Sequence, residues 1–264
     1  MGKCFSFTSS RDKCYRWSFS SAGLRSLTAN LGDGTFIHSW GPKAHKPNKP
    51  TLVLLHGIGA NAMWQWGDFV SPLSAKFNVY VPDLLFFGDS YTSRPERGEG
   101  FQAECVYRAL AAAGVRGRMS VVGLSYGGFV AYSMAARFPE AVERVVIGCA
   151  GVCLEERDME EGMFKVMCTE NLQERKELIY ALHKDRKLSD LPKITQPTLI
   201  IWGEHDQVFP VELAHRLVRH LGNNAELVIL KNAGHAINME KTKELYKLLK
   251  SFLIPKLENN GKVD

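Results

Sequence analysis

From residue 51 onward, short continuous apolar runs alternate with segments whose apolar residues recur at helical spacing, and this alternation constrains the fold more than any other feature. The runs at 51–55, 78–81, 119–122, 145–149, 198–202 and 227–230 are brief, rich in aliphatic residues and bounded by glycine or polar residues. Each predicts a strand buried on both faces. Segments 62–77, 100–113, 126–138, 211–220 and 241–253 predict helices. Strands and helices in that order imply right-handed crossovers and one mostly parallel, twisted sheet covered on both faces, with functional groups at the carboxyl ends of its strands. Residues 24–30 and 35–40 flank Gly32-Asp33-Gly34, a turn suited to positive φ, and predict an antiparallel hairpin at the sheet edge. The exception is 154–191, mostly helical and highly charged, with no strand of its own.

These boundaries divide the 264 residues into an N-terminal extension (1–23), a core (24–153 and 192–264) and an insertion (154–191). Apolar residues are 45% of the chain and charged residues 23%, so one ordinary buried core is within reach. The net charge of +5 is dispersed and predicts no nucleic-acid partner. Lys243, Lys247 and Lys250 alternate with leucines and read as the solvated face of the last helix. Six cysteines without an apolar leader predict free thiols in the cytoplasm. Cys149 and Cys153 lack a CxxC spacing and stand in an apolar run, so they read as small buried side chains rather than metal ligands. Neither a metal nor a cofactor is expected. No stretch approaches the roughly 20 apolar residues of a membrane span.

The chemistry is carried by four short segments. Val122-Gly123-Leu124-Ser125-Tyr126-Gly127-Gly128 places a G-x-S-x-G turn between a buried strand and a helix, where a strained backbone lifts the hydroxyl of Ser125 into a site. Asp206 follows the strand ending at Trp202, and His235 follows the strand ending at Leu230. Alone, the aspartate reads as a loop cap and the histidine as a surface residue. Together, the order Ser, Asp, His, each past a strand end, points to one machine: a hydroxyl needs an imidazole to take its proton, and the imidazole needs a carboxylate to fix its tautomer. His56-Gly57-Ile58-Gly59 follows the first core strand, so the backbone N–H groups of Ile58 and Tyr126 are placed, by position alone, as an oxyanion hole.

These segments, with Pro82-Asp83-Leu84-Leu85-Phe86-Phe87-Gly88-Asp89-Ser90, resemble the α/β-hydrolase superfamily, in particular monoacylglycerol-lipase-like, epoxide-hydrolase-like and meta-cleavage-product-hydrolase-like members found in plants. The likeness spans residues 24–254 and implies the α/β-hydrolase fold with a helical cap. Epoxide hydrolases of this fold use an aspartate where Ser125 stands, which argues against that activity. The resemblance also implies a cap about twice as long as 154–191, and the junction at Lys165 to Cys168 reads as a place where sequence is missing. A short cap predicts an open, shallow site with weak substrate selection and reduced or absent turnover, and leaves apolar surface at Trp64, Trp66, Phe86 and Phe87 less covered.

Met1-Gly2-Lys3-Cys4-Phe5-Ser6 fits the M-G-x-x-x-[ST] pattern, with Gly2 placed for myristoylation and Cys4 for palmitoylation. Two acyl chains would attach the chain stably to a membrane. The alternatives are a chance match and a Ser- and Arg-rich transit peptide. The function expected from the sequence is that of a lipase-like serine esterase, cleaving a small-molecule ester with an apolar acyl group. Two alternatives stand beside it: carbon–carbon bond hydrolysis of the meta-cleavage type, and a ligand-binding or receptor-like protein that keeps the triad but turns over slowly.

Overall fold

The computed structural model describes residues 7–158 and 171–254. The sheet contains β1 (Leu24–Asn30), β2 (Thr35–Pro42), β3 (Thr51–Leu55), β4 (Asn78–Pro82), β5 (Tyr91–Thr92), β6 (Met119–Leu124), β7 (Val142–Gly148), β8 (Thr198–Gly203) and β9 (Ala225–Leu230). Its order is β1-β2-β4-β3-β6-β7-β8-β9, with the short β5 paired to β2. The pairs from β4 to β9 are parallel, whereas β1 and β2 form the expected antiparallel hairpin at the edge. Gly32 and Gly34 at its turn have φ of 82° and 78°, a region open to glycine at little cost. The alternation read from the sequence is therefore a mostly parallel sheet with an antiparallel hairpin at its edge.

Helices α1 (Phe7–Ser21), α2 (Ala62–Ser74), α3 (Glu99–Ala112), α4 (Tyr126–Arg137), α5 (Leu172–His183), α6 (Glu212–Leu221), α7 (Ile237–Glu240) and α8 (Thr242–Leu253) complete the chain. β3, β4, β6 and β8 are buried along their whole length, which is why they read as unbroken apolar runs. On α8, Leu245 and Leu249 face the core while Lys243, Lys247 and Lys250 are exposed, the solvated face expected of them. Asn61 caps α2 by accepting the Trp64 N–H at 2.9 Å.

Two expectations differ from the structure. Residues 7–21, placed in an extension ahead of the core, form a helix that packs on α2 and on the hairpin, with Phe19 fully buried and its ring edge-on to Trp40 at 5.2 Å. The apolar surface expected at the mouth is also absent, because Trp66, Phe86 and Phe87 are at most 1% exposed. Trp66 turns inward onto Phe69, and the insertion covers the two phenylalanines. Within it, Arg175 lies over the Phe87 ring at 4.2 Å and donates to the Phe86 carbonyl at 3.1 Å, and Asn171 donates to the same carbonyl at 3.0 Å. Trp64 is half-buried beneath α1. The junction at Lys165 to Cys168 lies outside the described residues.

Candidate active site

Strand β6 ends at Leu124 and α4 begins at Tyr126, so Ser125 alone makes the turn, at φ 53° and ψ −125°. A non-glycine residue at positive φ is strained, and its neighbours hold it there. Ser125 N–H donates to the Gly148 carbonyl at 2.8 Å, and its own carbonyl accepts the Gly128 N–H at 2.8 Å. The elbow has no room for side chains at its flanks: a Cβ on Gly123 would meet the Gly127 carbonyl, and one on Gly127 would meet the Leu55 carbonyl.

Crossovers from β8 and β9 bring the other two groups to the same edge. Ser125 Oγ lies 2.9 Å from His235 Nε2, and His235 Nδ1 lies 2.8 Å from Asp206 Oδ2 and 3.0 Å from Oδ1. Asp206 is buried, and its Oδ1 accepts the N–H groups of Val208 at 2.8 Å and Phe209 at 2.9 Å. The carboxylate is thus fixed by backbone before it meets the imidazole. Gly203 permits the approach of the histidine loop, since a Cβ there would collide with the Gly234 carbonyl. Ser125 and His235 are half-buried, whereas the neighbouring His205 is exposed and faces Glu204 at 3.7 Å.

Tyr126 and Gly57, the residue before Ile58, both adjoin Ser125. Tyr126 is the first residue of α4, so its N–H has no carbonyl four residues back in the helix. The Gly57-Ile58 loop runs beside the serine, with the Cβ direction of Gly57 pointing to within 2.9 Å of Ser125 Cβ. Gln65 steadies this loop by accepting the Gly57 N–H at its Oε1, 2.6 Å away. His56 lies wholly inside; its Nε2 accepts the Leu84 N–H at 2.9 Å, so Nδ1 carries the proton and donates to the Gly57 carbonyl at 2.8 Å. Burial lowers its pKa below the ordinary histidine value and keeps it neutral.

Sequence reasoning missed a contact of Cys149. The residue is buried, as expected, but it adopts φ 46° directly after β7, where its thiol lies beside the Asp206 carboxylate. Donor atoms of Cys149, Asp206 and His235 lie within 4.8 Å of one another, a set that resembles a metal site. Burial and the adjacent carboxylate raise the thiol pKa well above its usual value, so it stays protonated, and the other two groups already bond each other. No sequence signal marked this contact, because a cysteine in an apolar run ordinarily packs as a small apolar residue.

A second Ser–His–Asp series sits elsewhere. Ser26 Oγ is 2.9 Å from His38 Nε2, and His38 Nδ1 is 2.8 Å from Asp83 Oδ2. Ser26 lies mid-strand in the exposed edge strand β1, not at a strand-to-helix turn, so this series reads as a lock between the hairpin and the Asp83 turn. A cleft of about 390 Å³ between α4 and α5, lined by residues including Phe129, Tyr132, Leu182 and Arg186, does not touch the Ser125 series. Gly2 and Cys4 lie outside the described residues. Among the described residues, no helix is long and apolar enough to cross a membrane.

Comparison with known proteins bears on the family and the fold. A family model described as the alpha/beta hydrolase fold matches residues 50–170 and 169–242. A 2-hydroxy-6-oxo-2,4-heptadienoate hydrolase of Pseudomonas putida is 26% identical over 247 aligned positions, covering 76% of this chain and 88% of the relative. Lipase 1 of Psychrobacter immobilis is 24% identical over 290 positions, covering 90% of this chain and 87% of the relative. That alignment is longer than the chain itself, so the relative carries residues this chain lacks, and the family match breaks at 169–170, inside the insertion. The crystal structure of the 2-hydroxy-6-oxo-6-phenylhexa-2,4-dienoate hydrolase of Rhodococcus sp. strain RHA1 superposes with a TM-score of 0.71 at 20% identity, covering 87% of this chain and 99% of that one. With the family model matched over most of its length and the sheet in the order described, the chain belongs to the α/β-hydrolase fold family.

Proposed function

We propose that the protein is a serine hydrolase that cleaves a carboxylic ester of modest size through an acyl-enzyme on Ser125. The observation that carries this reading is the unbroken hydrogen-bonded series from Ser125 through His235 to Asp206 on a positive-φ elbow. Ser125 Oγ attacks the ester carbonyl carbon while its proton passes to His235 Nε2. The N–H groups of Tyr126 and Ile58 hold the resulting oxyanion. Collapse expels the alcohol, which takes the proton from His235. Water then attacks the acyl group with His235 again as base, and the acid leaves. Asp206 holds the Nδ1–H tautomer throughout and stabilises the imidazolium.

The relative from Pseudomonas putida favours a second reading, in which the same serine series cleaves a carbon–carbon bond next to a ketone. p-Nitrophenyl esters of increasing acyl length, assayed beside a dienoate ketone, separate the two. In either case Ser125→Ala should lower turnover by at least about 10³-fold and abolish fluorophosphonate labelling. Retention of more than a tenth of wild-type turnover by the folded variant refutes the mechanism, and a wild-type chain that does not label is a binding protein rather than an enzyme.

A further inference from the structure

Helical periodicity divides the described side chains of α1 into two halves. Arg11, Asp12, Tyr15, Ser18 and Phe19 turn toward the body. There Asp12 accepts the Trp64 Nε1–H at 2.6 Å and Arg11 lies over the same ring at 4.6 Å. The opposite half carries Lys13, Cys14, Arg16, Trp17 and Ser20, all exposed. Trp17 stands at its centre, 74% exposed, while Trp40, Trp66 and Trp202 are buried. Lys13 lies one turn before Trp17, and Arg16 flanks it. This half has no acidic residue, because Asp12 faces inward. The neighbouring surface adds two exposed cations: Arg25 of β1 and Lys43, whose Nζ donates to the Ser20 carbonyl at 3.2 Å.

We propose that this outward face of α1 is a membrane-contact surface fitted to an anionic lipid bilayer. An indole with an apolar body and a polar N–H is suited to the headgroup boundary, and cations beside it are drawn to anionic headgroups. A folded protein partner is the poorer fit, since among the described side chains a single indole ringed by flexible cations offers no apolar patch from which an interface core could form. A bilayer asks only for a shallow apolar insertion and a positive surround. The inner half of the helix reaches Trp64, next to Gln65, which steadies the Gly57 loop, so the proposed face lies on the flank that carries that loop. The inference is independent of the bond cleaved at Ser125.

The test is co-sedimentation of the full chain, purified from bacteria so that it carries no N-terminal myristoyl group, with phosphatidylcholine vesicles containing or lacking phosphatidylserine. The chain should bind the phosphatidylserine vesicles and detach as salt rises, with a blue shift of indole emission and quenching by brominated lipid. Lys13→Gln and Arg16→Gln should each weaken partitioning about fivefold, and Trp17→Ala about tenfold, with ester turnover unchanged. All three positions are exposed, so folding should survive the substitutions. Failure of the wild-type chain to bind anionic vesicles at low salt overturns the proposal, as does equal binding by the three variants. Self-association that Trp17→Ala abolishes, without lipid binding, would assign the face to a second copy and equally overturn it.

Discussion

Asp206→Asn replaces one oxygen by an NH₂ group, and the surrounding backbone decides which oxygen. Oδ1 accepts N–H groups from Val208 and Phe209, so the amide must keep its carbonyl oxygen there; the reverse orientation sets its NH₂ against two donors. The NH₂ then occupies the Oδ2 position, 2.8 Å from His235 Nδ1. It can only donate, and the retained Oδ1, 3.0 Å from Nδ1, already accepts two backbone N–H groups, so the proton leaves Nδ1 for Nε2. Nε2 faces Ser125 at 2.9 Å and, once protonated, cannot accept the serine proton. The fold keeps its two backbone bonds, so the stability cost stays near about 1 kcal/mol. The kinetic cost should reach about 10⁴ in kcat, or about 5.5 kcal/mol of transition-state stabilisation. Steady-state kinetics on a p-nitrophenyl ester and a thermal melt measure the two costs, and fluorophosphonate labelling reports the reactivity of Ser125. A folded Asp206→Asn protein that keeps more than a tenth of wild-type turnover would refute the tautomer argument.

His205 is exposed and faces Glu204 rather than Ser125, so His205→Ala should leave ester turnover within about twofold, while His235→Ala loses it by about 10³ or more; equal losses in two folded variants would reverse the assignment. His56 is held neutral by burial, so the folded chain does not take up the proton that the unfolded chain binds below about pH 6.5. Stability from this residue is therefore complete above that pH and declines as pH falls, by up to about 1.4 kcal/mol per unit, and His56→Gln should flatten the slope of urea midpoints measured between neutral and mildly acid pH. Burial pushes the Cys105 and Cys153 thiols up to about 12 and raises Cys149 well above its usual value, so a thiol reagent should modify exposed Cys14 in the native chain and reach these three only on unfolding, as read by peptide mass mapping.

The parts legible in the sequence are those where local pattern and tertiary role agree. The run 51–55 had to be a strand buried on both faces, and the glycines at 123 and 127 had to mark a turn without room for Cβ atoms. Strand ends were read short where a polar or small residue continues the ladder, as Val142–Arg144 does in β7. α1 was missed because serine and charged residues dominate it, and its anchors, Tyr15 and Phe19, are two residues one turn apart. Its helical state rests on tertiary contact with Trp40 and Trp64 rather than on propensity. The burial of Phe86 and Phe87 was illegible for a related reason. An exposed aromatic mouth was inferred from the length of the insertion, but Arg175 and Asn171 decide the outcome and no periodicity marks them.

That last contact shows what the insertion does for the body beneath it. Phe86 has φ 72°, and its carbonyl accepts donors from Asn171 and Arg175. Glu177 of α5 accepts Arg97 at 2.7 Å, and the same arginine lies over the Phe86 ring at 4.7 Å. At the far end of α5, Arg186 pairs with Glu99 at 2.6 Å and donates to the Val152 carbonyl at 3.0 Å. Leu178, Ile179 and Leu182 are buried beneath these links, so α5 is fastened to the body by both apolar and charged contacts. The fastening extends toward the site. Arg175 lies on Phe87, Phe87 meets the His56 ring edge-on at 5.0 Å, and His56 holds the Gly57 carbonyl beside Ser125. The loop that faces the nucleophile is thus braced from α5 through two rings. The contacts of this brace that the insertion supplies come from Asn171 onward, past the break in the family match at 169–170, so they do not depend on the residues before it.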